Sequence, residues 1–165
     1  MPDLGRAIVT NTTPLIALAV GTGSLDILRV LYNRVLVPLE VAEEIQANGT
    51  DAPGVTAFDR AGWLERLAEP AAISPYLRNT LDRGEASVIQ TALDLGIPLV
   101  CIDESVGRRI ARLSGLTLTG SIGVLIKARQ RGYEVSIPKA IERMREHGIW
   151  LGLDVVRYAL THQDW

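Results

Sequence analysis

Twice in this chain a short apolar run without alternation stops abruptly in polar, helix-starting residues. Ala7-Ile8-Val9-Thr10 gives way to Asn11-Thr12-Thr13-Pro14, and Leu99-Val100-Cys101-Ile102 gives way to Asp103-Glu104. Unalternating runs of this length are characteristic of parallel strands buried on both faces, which only a sheet covered by helices provides. In an open parallel sheet, ligands bind in the crevice beyond the carboxyl ends of the strands. Asn11 and Asp103 are therefore expected at one site.

The remaining chain repeats this alternation of strand and helix. Thr12 or Thr13 before Pro14 predicts a helix over Leu15 to Val20. Gly21-Thr22-Gly23-Ser24 is expected to break that helix and cap another, with Leu25, Leu28 and Leu31 or Tyr32 inward. Val35 to Val37 reads as a strand, and Pro38 opens a helix that buries Val41 and Ile45 and carries Glu40 and Glu44 as a ridge. Trp63 to Leu67 suggests an edge strand, and a helix is expected beyond Ser74-Pro75. Glu85 stands in the first turn of a further helix whose face is traced by Ala86, Ile89, Ala92 and Leu93 and which Gly96-Ile97-Pro98 ends. The strand Leu99 to Ile102, a helix Ser105 to Ser114, a strand Leu116 to Thr119 and a helix Ser121 to Arg131 follow. This is the pattern of an α/β fold with a parallel sheet.

The expected organisation is a single domain over residues 1–165, with a sheet portion of about 6–132 and a helical tail of about 133–165. The tail should contain helices at Pro138 to Glu146 and about Asp154 to His162, packed on the sheet or on a second copy of the chain. A homodimer is the expected assembly.

Hydrophobic residues make up 47% of the chain and charged residues 22%, which is ordinary for a globular protein. The single Cys101 falls within an apolar strand, as a small buried thiol would. A reducing, cytoplasmic location is expected. No basic segment followed by an apolar one opens the chain, and no stretch approaches the roughly 18 apolar residues that span a bilayer, so neither secretion nor membrane insertion is expected.

A net charge of −2 excludes a surface that is basic throughout. Fifteen of the 17 basic residues are nonetheless arginine, and Arg108, Arg109, Arg112, Lys127, Arg129 and Arg131 crowd into two neighbouring segments after Asp103. Such a stripe can contact phosphates on a protein that is acidic overall, although it equally suits solvated helix faces.

The polar residues expected at the carboxyl edge are Asn11, Glu44, Glu85, Asp103 and Glu104, with Thr119 and Ser121 after the last strand. Carboxylates brought together repel one another unless a cation or shared protons compensate. Oxygen donors without His or Cys favour Mg²⁺ or Mn²⁺ over zinc. A cation of that kind neutralises charge developing on a phosphoryl group, so phosphodiester hydrolysis is the reaction class indicated. Glu104 is expected in the first turn of its helix, at most supporting the site from behind. Ser121 is placed to cap a helix or to orient water at the site. His147 and His162 fall near helix ends in the tail and are not expected to be general bases. Trp63, Trp150 and Trp165 are read as packing or interface residues.

Four segments together resemble a known family: Asn11-Thr12-Thr13-Pro14-Leu15-Ile16, Val37-Pro38-Leu39-Glu40-Val41-Ala42-Glu43-Glu44-Ile45, Gly84-Glu85-Ala86-Ser87, and Ile102-Asp103-Glu104-Ser105-Val106-Gly107-Arg108-Arg109. In that order they look like the motifs of the PIN-domain superfamily, and most like a prokaryotic branch similar to the toxin nucleases of toxin-antitoxin pairs. Gly120 to Leu125 and the closing Arg143 to Tyr158 stretch look like the same branch. The resemblance implies a three-layer fold with a central five-stranded parallel sheet, a metal-dependent ribonuclease activity using Mg²⁺ or Mn²⁺, an RNA substrate and a cognate antitoxin as partner. Position by position it implies catalytic roles for Asn11, Glu44, Glu85 and Asp103, with Glu44, Glu85 and Asp103 as metal ligands. Arg108, Arg109 and Arg112, next to the last of these motifs, are the residues expected to bind nucleic acid.

Asn11 departs from the family's usual Asp. An amide oxygen ligates a hard cation but brings no charge. Two functional readings therefore stand beside each other: a metal-dependent ribonuclease of toxin type, and a catalytically weakened PIN fold that binds RNA or a protein. A phosphohydrolase of another family has less support, since the chain has no Gly-x-x-x-x-Gly-Lys phosphate loop.

Overall fold

The computed structural model describes residues 6–149 and 152–161. Trp150, Trp165 and His162 lie outside the described residues. Five strands form one all-parallel sheet: β1 (Ala7–Thr10), β2 (Arg34–Val37), β3 (Glu65–Arg66), β4 (Leu99–Cys101) and β5 (Thr117–Thr119), in the order β3-β2-β1-β4-β5. Val9 pairs in register with Leu36 on one side and Val100 on the other. The strand order reverses at β1, so the crevice between the ends of β1 and β4 is the switch point at which parallel sheets bind ligands. The backbone N–H of Asn11 donates to the Cys101 carbonyl at 3.0 Å and ties those two ends together.

Helices flank this sheet. One group comprises α1 (Thr12–Thr22), α2 (Asp26–Leu31), α8 (Ser121–Gln130) and α9 (Ile137–Glu146), with α4 (Val55–Arg60) against α1. Another comprises α3 (Leu39–Ala47), α5 (Pro75–Thr80), α6 (Arg83–Leu95) and α7 (Ser105–Leu113). The last helix, α10 (Leu153–Thr161), packs against α8 and α9. The strand residues Ile8, Val9, Val37, Val100 and Cys101 are fully buried between the layers. At about 25 cal/mol per Å² of apolar surface removed from water, this burial supplies the main driving force for the sheet.

Two features differ from the expectations. First, α1 does not break at Gly21; it runs to Thr22 and is closed by Gly23, whose φ of 87° places it in the left-handed region that glycine tolerates. Gly21 serves packing instead, because a Cβ there would stand 2.8 Å from Met144 Cε and 3.3 Å from Ala140 Cβ on α9. The tail is thereby fastened to α1. Second, α4 occupies part of a segment in which no helix was foreseen, burying Val55 and Phe58. With six residues and two apolar anchors, it carries too little periodicity to be read from sequence. No helix among the described residues is long and apolar enough to cross a membrane.

Candidate functional site

The edge formed by the ends of β1, β4 and β5 collects polar groups that lack partners. Asn11 is the N-cap residue of α1 and 4% exposed, yet its side chain makes no capping bond, and Oδ1 is buried without a hydrogen-bond partner. The same holds for Thr12 Oγ1, Asp103 Oδ2 and Ser121 Oγ. A buried polar atom left unpaired costs on the order of 1–3 kcal/mol. Four of them at one strand edge call for a ligand.

The acids are positioned by helix starts. Asp82 caps α6, with Oδ1 accepting the Glu85 backbone N–H at 2.8 Å, which holds Glu85 in the first turn and turns its side chain inward. Glu104 occupies the N-cap position of α7. One carboxylate oxygen from each of Asp82, Glu85 and Glu104 lies within 4.8 Å of the other two. Asp82 and Glu104 are exposed while Glu85 is 3% exposed. Burial first, then sharing of hydrogen with Glu104 and the charges of Asp82 and Glu104, push the Glu85 carboxyl up to about 9. Without a cation the trio retains a proton.

Glycines make room for these side chains. A Cβ on Gly84 would fall 2.6 Å from Glu44 Oε2 and 3.3 Å from Asn11 Oδ1, so both oxygens lie over that glycine at the start of α6. A Cβ on Gly107 of α7 would fall 2.6 Å from Glu85 Oε2. Neighbouring Glu43 turns outward to pair with Arg83 at 3.0 Å, which leaves Glu44 as the acid of α3 that faces the crevice. Glu44 is raised by burial, opposed by the nearby Thr12 hydroxyl, and raised again by Asp82 and Glu104. That hydroxyl favours the charged Glu44 without closing a well-formed hydrogen bond.

Asp103 stands on the other flank. Its Oδ1 accepts the Ser121 backbone N–H at 2.7 Å across β4 and β5, and a Cβ on Gly120 would come within 2.6 Å of the same oxygen. Burial raises this carboxyl, with Ser121 and Arg108 working against the rise. Asp103 is not one of the three carboxylates that converge most closely. Of the three arginines, Arg108 is half-buried and donates from Nη1 to the Ile102 carbonyl at 2.7 Å and the Thr119 carbonyl at 3.1 Å, fastening β4 to β5. Arg109 and Arg112 are exposed on α7.

Sequence reasoning passed over Asp82 and gave Glu104 a supporting part. The signal for Asp82 was present: Asp82-Arg83-Gly84-Glu85 has the Asp-x-x-Glu spacing of a capping box, which brings the two acids onto one helix start. The donors gathered here are all oxygens: carboxylates, an amide and hydroxyls. A hard divalent cation fits such a set, since it meets the unpaired amide oxygen and offsets the mutual repulsion of the acids.

A family model, DUF3368, described as a PIN domain, matches residues 7–164. No curated protein matches the chain.

Proposed function

The chain belongs to this PIN-domain family, and from that premise we propose that it is a ribonuclease that hydrolyses RNA phosphodiesters with Mg²⁺ or Mn²⁺. The observation that carries the reading is the convergence of Asp82, Glu85 and Glu104 within 4.8 Å beside the unpaired Asn11 oxygen. In this reading Glu85 and Glu104 are the principal cation ligands, with Asp82, Glu44 and Asn11 completing the oxygen shell. The cation, when bound, supplies positive charge to a transition state that gathers negative charge on the phosphoryl oxygens, and it activates water as nucleophile. Asn11 contributes a neutral oxygen. Asp103 and Ser121 line the flank of the crevice away from the trio, along which the substrate strand continues past the reacting linkage. The acidic crevice repels RNA by itself, so Arg109 and Arg112, exposed beyond it on α7, draw the phosphate backbone in.

A toxin role with a cognate antitoxin, a homodimeric assembly and a cytoplasmic location belong to the same proposal. They rest on the resemblance of the motifs to toxin nucleases and on the reduced Cys101. One observation favours the second reading, a binding module: Asn11 stands where the resemblance places an acid.

The test is cleavage of single-stranded RNA of varied sequence by the wild type, Glu85→Gln and Asn11→Asp, each with Mg²⁺, Mn²⁺ or EDTA. The proposal expects cutting by the wild type only with metal, loss of cutting in Glu85→Gln, and faster cutting in Asn11→Asp. RNA binding without cleavage by both the folded wild type and Asn11→Asp would give the case to the binding module.

A further inference from the structure

Beside Asp103 the crevice opens into a cavity of about 610 Å³, within the range of small-molecule clefts. Asp103, Arg108 and Ser121 are in its lining, with the hydroxyls of Thr13, Ser105 and Thr119. The apolar part of the wall includes Leu118 of β5, Ile126 of α8, and Val155 and Tyr158 of α10. The acidic trio accounts for none of these apolar walls. Val155 and Tyr158 are 44% and 55% exposed, so the tail helix presents hydrophobic groups at the mouth of the cavity instead of burying them in the core.

The chemistry of the lining selects among occupants. A phosphate is disfavoured, because the Asp103 carboxylate is part of the lining and Nη1 of Arg108 is committed to two backbone carbonyls. A flat, uncharged group with hydrogen-bonding edges suits the lining better. Its faces would lie on Ile126, Val155 and Tyr158, and its edge would meet Asp103 Oδ2 and Ser121 Oγ, both buried, the hydroxyl near the carboxyl without closing a well-formed hydrogen bond to it. Proteins read single-stranded RNA in this way, by splaying a base out of the stack and packing it on apolar or aromatic side chains.

We propose that the cavity between Asp103 and α10 is a base-binding subsite, which receives one unstacked base of the RNA, on the nucleotide next to the phosphodiester held at the acidic trio. The inference rests on the ribonuclease reading and adds to it a built-in register: the strand is placed by a base in the pocket before the trio acts on the neighbouring linkage. Recognition would then come from one base and its surroundings, with the arginines of α7 contributing sequence-independent attraction.

The test is the affinity of a short single-stranded RNA of mixed sequence for the full chain, measured by fluorescence anisotropy in Ca²⁺ and in EDTA, with each position made abasic in turn. The expected result is a loss of roughly tenfold at one position, the size of a lost stacked base, with small changes elsewhere. Ile126→Phe and Val155→Trp fill the cavity from opposite walls, and either folded variant should erase that one dependence while still binding the abasic RNA. A flat profile with binding intact, or a dependence that survives in both variants, overturns the subsite and leaves the ribonuclease reading standing. If the folded wild type binds none of the RNAs in either condition, the ribonuclease reading falls and the subsite falls with it.

Discussion

The two flanks of the crevice handle buried carboxylates in opposite ways. On the α6 and α7 side, Asp82, Glu85 and Glu104 lie within 4.8 Å of one another, and their repulsion together with burial holds a proton on Glu85. On the β4 and β5 side, Asp103 accepts the Ser121 backbone N–H at 2.7 Å and lies near the Arg108 guanidinium, with the Glu104 charge close enough to raise it. The first arrangement is poor without a cation and good with one. The second is only partly provided for by its own fold, since Asp103 Oδ2 is left without a well-formed hydrogen bond, and it opens onto a cavity with apolar walls. In our proposals one flank takes a cation and the other the organic part of a substrate.

The largest expected effect is on the first flank. Glu85→Gln should weaken Mn²⁺ binding roughly 100-fold or more in a calorimetric titration, since one unit charge about 4 Å from another is worth about 4 kcal/mol at an effective dielectric of 20. The same variant should melt higher than the wild type in EDTA above neutral pH, because the amide stays neutral in that buried place without having to hold a proton. A variant that binds Mn²⁺ like the wild type would remove the trio from the account.

The pH dependence follows from the raised Glu85. A carboxyl whose folded value is raised is an unfavourable contribution that sets in as pH climbs past its ordinary value of about 4.5 and is complete above about 9. The metal-free protein should therefore lose stability across that window. Cation binding must expel the proton, so Mn²⁺ affinity should rise by up to about tenfold per pH unit over its upper part. Melting curves with and without Mn²⁺ at several pH values check both signs, and an affinity independent of pH would show that no proton is displaced.

Glycine replacements sharpen the contrast between site and scaffold. Gly84→Ala should push Glu44 aside, because the new methyl meets the far end of a flexible side chain at 2.6 Å. The expected outcome is several-fold weaker Mn²⁺ binding with little change in melting. Gly21→Ala meets Met144 and the backbone of Ala140 instead, and should cost about 1–3 kcal/mol of stability while leaving metal affinity alone. Chemical denaturation and a Mn²⁺ titration of both variants separate the two effects.

Among the residues of the crevice, the smallest effect on metal binding is expected from Asp103→Asn, at no more than a few-fold. If this variant instead weakens Mn²⁺ as severely as Glu85→Gln, the two flanks form one metal centre and the division between them fails.

The pattern of legibility follows the same physics. Ala7 to Thr10 and Leu99 to Ile102 announced buried parallel strands because hydrophobic runs report burial directly, and their polar successors marked the switch point. Glu44 and Glu85 were singled out by their expected place at the carboxyl edge and by motif resemblance, and the structure adds why they face inward: Gly84 and Gly107 leave them room. Asp82 stayed hidden because a capping role satisfies an Asp at a helix start, and nothing local shows that a second acid shares the space. Gly21 was misread for the converse reason. Glycine marks breaks and close approaches alike, and only the tertiary partner, Met144 on α9, distinguishes them.

In the proposed ribonuclease the crevice between β1 and β4 holds a divalent cation on the α6 and α7 flank. Crystals grown with Mn²⁺ and measured at the manganese absorption edge test it directly. An anomalous peak is expected within coordination distance of the Glu85 and Glu104 carboxylates, with the Asn11 amide oxygen turned towards it. A fully occupied peak elsewhere, or none at saturating Mn²⁺ while those carboxylates keep their positions, would contradict it.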